Sequence, residues 1–186
     1  MTSAPAPAAG RAPDEGRRIR TRDGAWLRLR AIRSDDGPAL QRAFARLTPD
    51  QVRQRVFHAL TELTPELQHR LTHVDPALAA SFVAIDADGE IRAEARLSFD
   101  PDRNGAEFGI IVDPSYAGRG VGRRMLREML AECRRRGVRR LRGDILAENG
   151  AMLDLAAHLG FRRLGTPDDP GIVRVERALR ASPRRM

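Results

Sequence analysis

The sequence predicts an α/β (α+β) fold, a mixed and mostly antiparallel sheet of six to seven strands with helices on both faces. Three observations predict it. Ile91, Ala93, Ala95, Leu97 and Phe99 alternate with Arg92, Glu94, Arg96 and Ser98, the two-residue period of a strand. Val121, Met125, Met129, Leu130 and Cys133 fall on one stripe at helical spacing. Turn and stop signals then divide the chain into the order β, helices, β-β-β, α, β, α, β, β, with no internal repeat.

Residues 26–32 (Trp-Leu-Arg-Leu-Arg-Ala-Ile) form the first strand, and Ser34 or Asp35 caps a helix over about 37–47. Thr48-Pro49 and Thr64-Pro65-Glu66 start further helices, to about Leu60 and Val74, because proline fits the first helical turn. Phe82-Val83-Ala84-Ile85 is a short apolar strand. Asp88-Gly89 turns the chain into the alternating strand 91–99, expected to be half-buried, and Asn104-Gly105 turns it again into 106–112. The helix over about 120–136 stops at Gly137. A strand over 139–145, a helix over 149–159 closed by Gly160, and strands over 161–164 and 172–179 complete the chain.

The 186 residues, 41% of them apolar, suffice for one core and one domain, assigned to 19–180. An Ala/Pro-rich tail (1–18) is expected to be disordered, and 181–186 to be a basic tail. No run approaches the ~18–20 apolar residues of a membrane span. A single cysteine excludes an internal disulfide framework and a cysteine-based zinc site. The N-terminus lacks the apolar core of a secretory signal, so a cytoplasmic protein is expected. Every one of the 33 basic residues is arginine. Ten of them lie between Arg119 and Arg142 against Glu128 and Glu132, so this window carries an excess equal to the whole net charge of +8. Such a block calls for an anionic partner, nucleic acid or a phosphorylated cofactor. The scarcity of aromatic residues disfavours nucleic acid.

The chemistry concentrates in one segment. Ala106–Val112 leads through Asp113-Pro114-Ser115-Tyr116 into Ala117-Gly118-Arg119-Gly120-Val121-Gly122-Arg123-Arg124. A strand, a glycine-rich loop and a helix N-terminus aim several amides at one spot, which suits a phosphate or diphosphate, and the arginines add charge beside it. The loop is no Walker loop, since no Gly-Lys-Ser/Thr ends it. It is a poor dinucleotide fingerprint, since the third glycine would fall at Arg123.

At these residues the chain resembles the GNAT superfamily of N-acetyltransferases, which carries Gln/Arg-x-x-Gly-x-Gly/Ala to bind the acetyl-CoA diphosphate. Gly120-Val121-Gly122 matches the final triplet, whereas Ala117 departs from the first position. Asn149-Gly150-Ala151-Met152-Leu153-Asp154-Leu155-Ala156-Ala157-His158-Leu159-Gly160-Phe161 is similar to a second family segment. This run and Leu71-Thr72-His73-Val74-Asp75 resemble most the acetyltransferase domain of bacterial Pat-type protein-lysine acetyltransferases. The likeness spans about residues 24–165.

The resemblance implies a GNAT-like fold and acetyl-CoA-dependent transfer to a primary amine, a protein lysine among the candidates, with no metal. A small-molecule amine and a non-catalytic acyl-CoA-binding regulatory module are the alternatives. Glu107 is the candidate general base: it shares a strand face with Gly109 and Ile111, and partial burial would raise its pKa. Pat-type enzymes carry a catalytic glutamate in this strand, and Ala106-Glu107-Phe108 matches that context. The competing reading is a surface glutamate paired with a neighbouring strand's arginine such as Arg96. Strand backbone at Ile110, Ile111 and Val112 is expected to hold the pantetheine, with the Val112 N–H as the oxyanion donor. Gly118, Arg119, Gly120, Val121, Gly122 and Arg123 are expected at the diphosphate, Arg119 supplying the charge that Ala117 lacks. Asn149 is a cofactor contact or a helix cap. Ala156 stands where many family members have a tyrosine acid, so no tyrosine acid is expected, and Tyr116 packs before the loop. Cys133, Met125 and Met129 read as core. His69 and His73, four apart, read as a solvated helix face rather than a metal pair.

Overall fold

The computed structural model describes residues 16–56, 63–165 and 170–179, with backbone alone at 53–56. Residues 1–15 of the expected tail, the helix beyond Val56 with His58, and the basic tail 181–186 lie outside the described residues.

Eight strands form one sheet: β1 (Arg17–Arg20), β2 (Trp26–Ala31), β3 (Ala79–Ile85), β4 (Ile91–Phe99), β5 (Gly105–Val112), β6 (Arg140–Leu146), β7 (Arg162–Leu164) and β8 (Ile172–Ala178). Their spatial order is β1-β2-β3-β4-β5-β6-β8-β7. All neighbours are antiparallel except β5 and β6. The count exceeds the expected six to seven because β1, four residues with only Ile19 buried, is too short and too arginine-rich to show a period. It places Arg17 and Arg18, expected in the disordered tail 1–18, in the sheet instead, paired with Leu29 and Arg28.

Helices α1 (Gly37–Ala45), α2 (Pro49–Val56) and α3 (Pro65–Thr72) follow β2; α4 (Val121–Arg135) follows β5; α5 (Gly150–His158) follows β6. Neither Ser34 nor Asp35 caps α1. Both lie in a 3-10 turn, and Asp36 is the cap residue, its carboxylate taken by Arg30 and the Arg33 N–H. Thr64 Oγ1 accepts from Leu67 N and caps α3. α4 and α5 end as expected at Gly137 and Gly160, both with positive φ. At each end the next residue donates back into the last turn, Val138 to the Cys133 carbonyl and Phe161 to Ala156.

Two cores flank the sheet. The larger joins Met125, Met129 and Cys133 of α4, and Leu153 and Ala156 of α5, to Leu29, Phe82, Ala95, Leu97, Phe108 and Leu141. The smaller sets Leu40 of α1, with Leu67 and Leu71 of α3, against Val83, Ile85 and Ile91 on the other face. Strand β4 is therefore covered on both sides and not half-buried. Glu94 is buried and accepts from Ser81 Oγ at 2.9 Å, and a bulge opposite Ala84/Ile85 swings Ile91 to the second face.

The feature that makes room for chemistry is a split. β5 and β6 pair only over Gly105–Glu107 and Arg140–Arg142. Beyond that point β5 stays with β4 and β6 with β8, and the two strands part. The Phe108 ring lies where a Cβ on Gly143 would sit, 2.5 Å from that position, at the first unpaired residues.

Candidate active site

The split opens into a cleft of about 770 Å3 between β5, β6, the loop before α4 and the exposed side of α5. Its backbone chemistry follows from register. Asp100 N donates to Gly105 O and Asp113 N to Arg92 O, so odd-numbered residues of β5 exchange hydrogen bonds with β4. The even-numbered ones turn their amide groups the other way. Ile110 and Val112 therefore present N–H and C=O to the cleft, whereas Ile111 bonds to β4 and contributes its side chain. This narrows the expected backbone contacts to Ile110 and Val112. The Val112 carbonyl accepts from Gln51 Nε2 at 3.0 Å; Gln51 Oε1 in turn accepts from Thr48 N, tying the start of α2 to the strand end.

At the next turn the chain gathers a set of unpaired amides. Gly118 and Gly120 have φ of 71° and 83°, conformations that L side chains rarely adopt. The N–H groups of Gly118, Gly120, Val121, Gly122 and Arg123 donate to no group among the described residues, and all five residues line the cleft. These are the unpaired donors of a helix start plus one loop amide. Behind them Asp113, only 6% exposed, accepts from Ser115 N and Oγ, Arg46 Nε and Arg92 Nη1. Burial alone pushes its carboxyl up; those hydrogen bonds outweigh it and hold it at about 2. The loop is thus anchored to a carboxylate that stays ionised at neutral pH.

Glu107 lines the same cleft on the face it shares with Gly109 and Ile111, opposite Ser98 of β4. Its side chain is 51% exposed rather than enclosed. The arginine within ion-pair reach of it is Arg142, at 4.0 Å, and not Arg96, whose Nη1 points to the Leu71 carbonyl. Arg142 is already held in a two-point bond by Asp100 at 2.8 and 2.7 Å.

Other candidates divide. Asn149 caps α5, its Oδ1 accepting from Met152 N, and it also lines the cleft. Arg119 departs from expectation. Its Nη1 pairs with Asp23 Oδ2 at 2.7 Å and its guanidinium stacks on Tyr116, away from the cleft lining. Ala156 is fully buried, and the α5 residues that reach the cleft are Ala151, Met152, Leu155 and His158. His69 and His73 stack on one another, and among the described residues no three His, Cys, Asp or Glu side chains gather around a metal-sized space. Sequence reading missed Arg22, Gln51 and His158 as cleft residues. The Asp23-Gly24 turn and the Thr48-x-x-Gln51 capping pattern were the available signals for the first two.

The chain belongs to the Acetyltransferase (GNAT) family, whose profile matches residues 40–161. It is 29% identical to an acetyltransferase of Pseudomonas aeruginosa over 79% of its own length and 81% of that protein's. Among solved structures, the GNAT domain of S. lividans PAT superposes with a TM-score of 0.83 at 25% identity, covering 91% of this chain and 100% of that domain. The expected nearness to Pat-type domains is thereby met. The fold is also that of RimL, a ribosomal L7/L12 alpha-N-protein acetyltransferase solved with coenzyme A (TM-score 0.70, 19% identity, 84% and 96% covered). No helix among the described residues is long and apolar enough to cross a membrane.

Proposed function

We propose that the chain transfers an acetyl group from acetyl-CoA to the side-chain amine of a protein lysine. The observation that carries this reading is the shared cleft: five unpaired amides at 118 and 120–123 open onto the same space as the backbone edge of Ile110 and the Val112 N–H, which β6 leaves unpaired. The first set fits a diphosphate. The second fits an amide-bearing arm that adds to the strand edge as a further strand would. Acetyl-CoA has both parts, and as a thioester it supplies the activated acetyl group.

The protein's own part then follows. Gly118, Gly120–Gly122 and Arg123 hold the charged end. Ile110 orients the arm, and the Val112 N–H donates to the thioester carbonyl oxygen as charge develops there. Glu107 takes a proton from the incoming ammonium, directly or through one water, since a lysine with pKa ~10.4 is otherwise mostly charged at neutral pH. The freed amine attacks the thioester carbon, the C–N bond forms as the C–S bond breaks, and coenzyme A leaves as a thiolate that takes a proton from solvent. The half-open position of Glu107 supports a long side chain offered from a protein surface. Its carboxylate is also the weakly paired one here, because Arg142 and Arg174 are held by Asp100 and Asp144 at 2.6–2.8 Å.

The test is thiol release from acetyl-CoA with lysine peptides, acyl-CoA synthetases as protein acceptors, and a panel of small amines. Turnover with a lysine-bearing protein supports the reading. Turnover confined to small amines removes the protein acceptor, and binding without turnover on any acceptor leaves an acyl-CoA-binding module instead.

A further inference from the structure

The family motif carries Gln or Arg at the position of Ala117, whose methyl group brings no charge to the glycine loop. Arg119 does not make up the loss, being engaged by Asp23 and Tyr116. A different arginine reaches the place. Arg22 sits in the turn between β1 and β2, far from the loop in sequence, and the turn is docked onto it. Its N–H donates to the Arg119 carbonyl at 2.9 Å, and its Nη1 approaches the Gly118 carbonyl at 3.4 Å. Its aliphatic stem lies 3.5 Å from where a Cβ on Gly120 would be, and it lines the cleft. The turn itself is braced. Thr21 N donates to the Ala25 carbonyl, Thr21 Oγ1 donates to Asp23 Oδ1 at 2.6 Å, and Asp23 closes onto Arg119. Arg22 itself is exposed and makes no ion pair among the described residues.

We infer that Arg22 is the side-chain cation for the coenzyme diphosphate, and that the β1–β2 turn is part of the coenzyme site. This rests on the acetyl-CoA reading above. A guanidinium carries five donors, and here one is lightly used, leaving a fork free for two phosphate oxygens. The Asp23–Arg119 pair then serves to position the turn, so that Arg22 stands over the unpaired amides. The charge that the motif lacks at Ala117 is restored from another part of the chain.

Calorimetric binding of three probes to the full chain tests this: acetyl-CoA, acetyl-dephospho-CoA, which lacks only the ribose phosphate, and S-acetylpantetheine, which has no diphosphate. Arg22→Ala is expected to weaken the first two by about tenfold or more and to leave the third unchanged, with Arg22→Lys recovering part of the loss. An unchanged melting temperature without ligand keeps folding out of the comparison. Equal weakening of all three probes, or of none, overturns the assignment. Weakening confined to acetyl-CoA moves Arg22 to the ribose phosphate and also overturns it. If the unaltered chain binds no acetyl-CoA, the functional reading falls and this inference with it.

Discussion

Glu107 faces the cleft half-open, with Arg142 at 4.0 Å. Glu107→Gln keeps the shape and deletes the proposed base. We expect kcat to fall by roughly 100-fold or more while acetyl-CoA affinity stays within about twofold. Steady-state kinetics beside direct binding checks this, and an unchanged kcat removes Glu107 from the reaction. Asp113 makes a stability prediction of its own. Its carboxyl is held at about 2 in the fold against an ordinary value of 3.8, so its contribution is complete above about pH 4 and is lost as pH falls towards 2. Asp113→Asn should cost about 2–3 kcal/mol at neutral pH. Urea melts should show the gap between variant and parent closing as the pH drops through that window. The role of Asp113 was hidden in the sequence, because its partners Arg46, just after α1, and Arg92, in β4, meet it only in the fold. Glu107 was legible, because strand alternation alone assigns its face.

The glycine loop separates two kinds of glycine at the level of the element. Gly120 has φ of 83°, whereas a Cβ on Gly122 would meet only Leu155 and Val112 at 3.5 and 3.8 Å, ordinary contact distances. Gly122→Ala should therefore leave stability equal or raised by up to about 1 kcal/mol, since alanine is the better helix former. Gly120→Ala should lose about 1–2 kcal/mol to left-handed strain and weaken acetyl-CoA binding. Thermal melts with and without acetyl-CoA distinguish the two. Helices α3, α4 and α5 were readable because caps, proline and glycine stops act locally. The split between β5 and β6 was not. It depends on Phe108 lying over Gly143, residues of different strands whose meeting no local pattern announces.

At the scale of the molecule, the cleft lies between parts of the sheet that would otherwise be continuous, beside the closed core around α4. Cys133 reports on that core. Burial pushes its thiol up to about 12, so at pH 8 it should react with a thiol reagent only as fast as the domain unfolds, and Ellman titration with and without denaturant measures it. The split itself sets the timing of hydrogen–deuterium exchange. The Ile110 and Val112 amides point to solvent inside an otherwise paired sheet, so they should exchange quickly in the free protein while Ile111 beside them is slow. Acetyl-CoA, by taking the place of the missing neighbour, should make that alternation disappear.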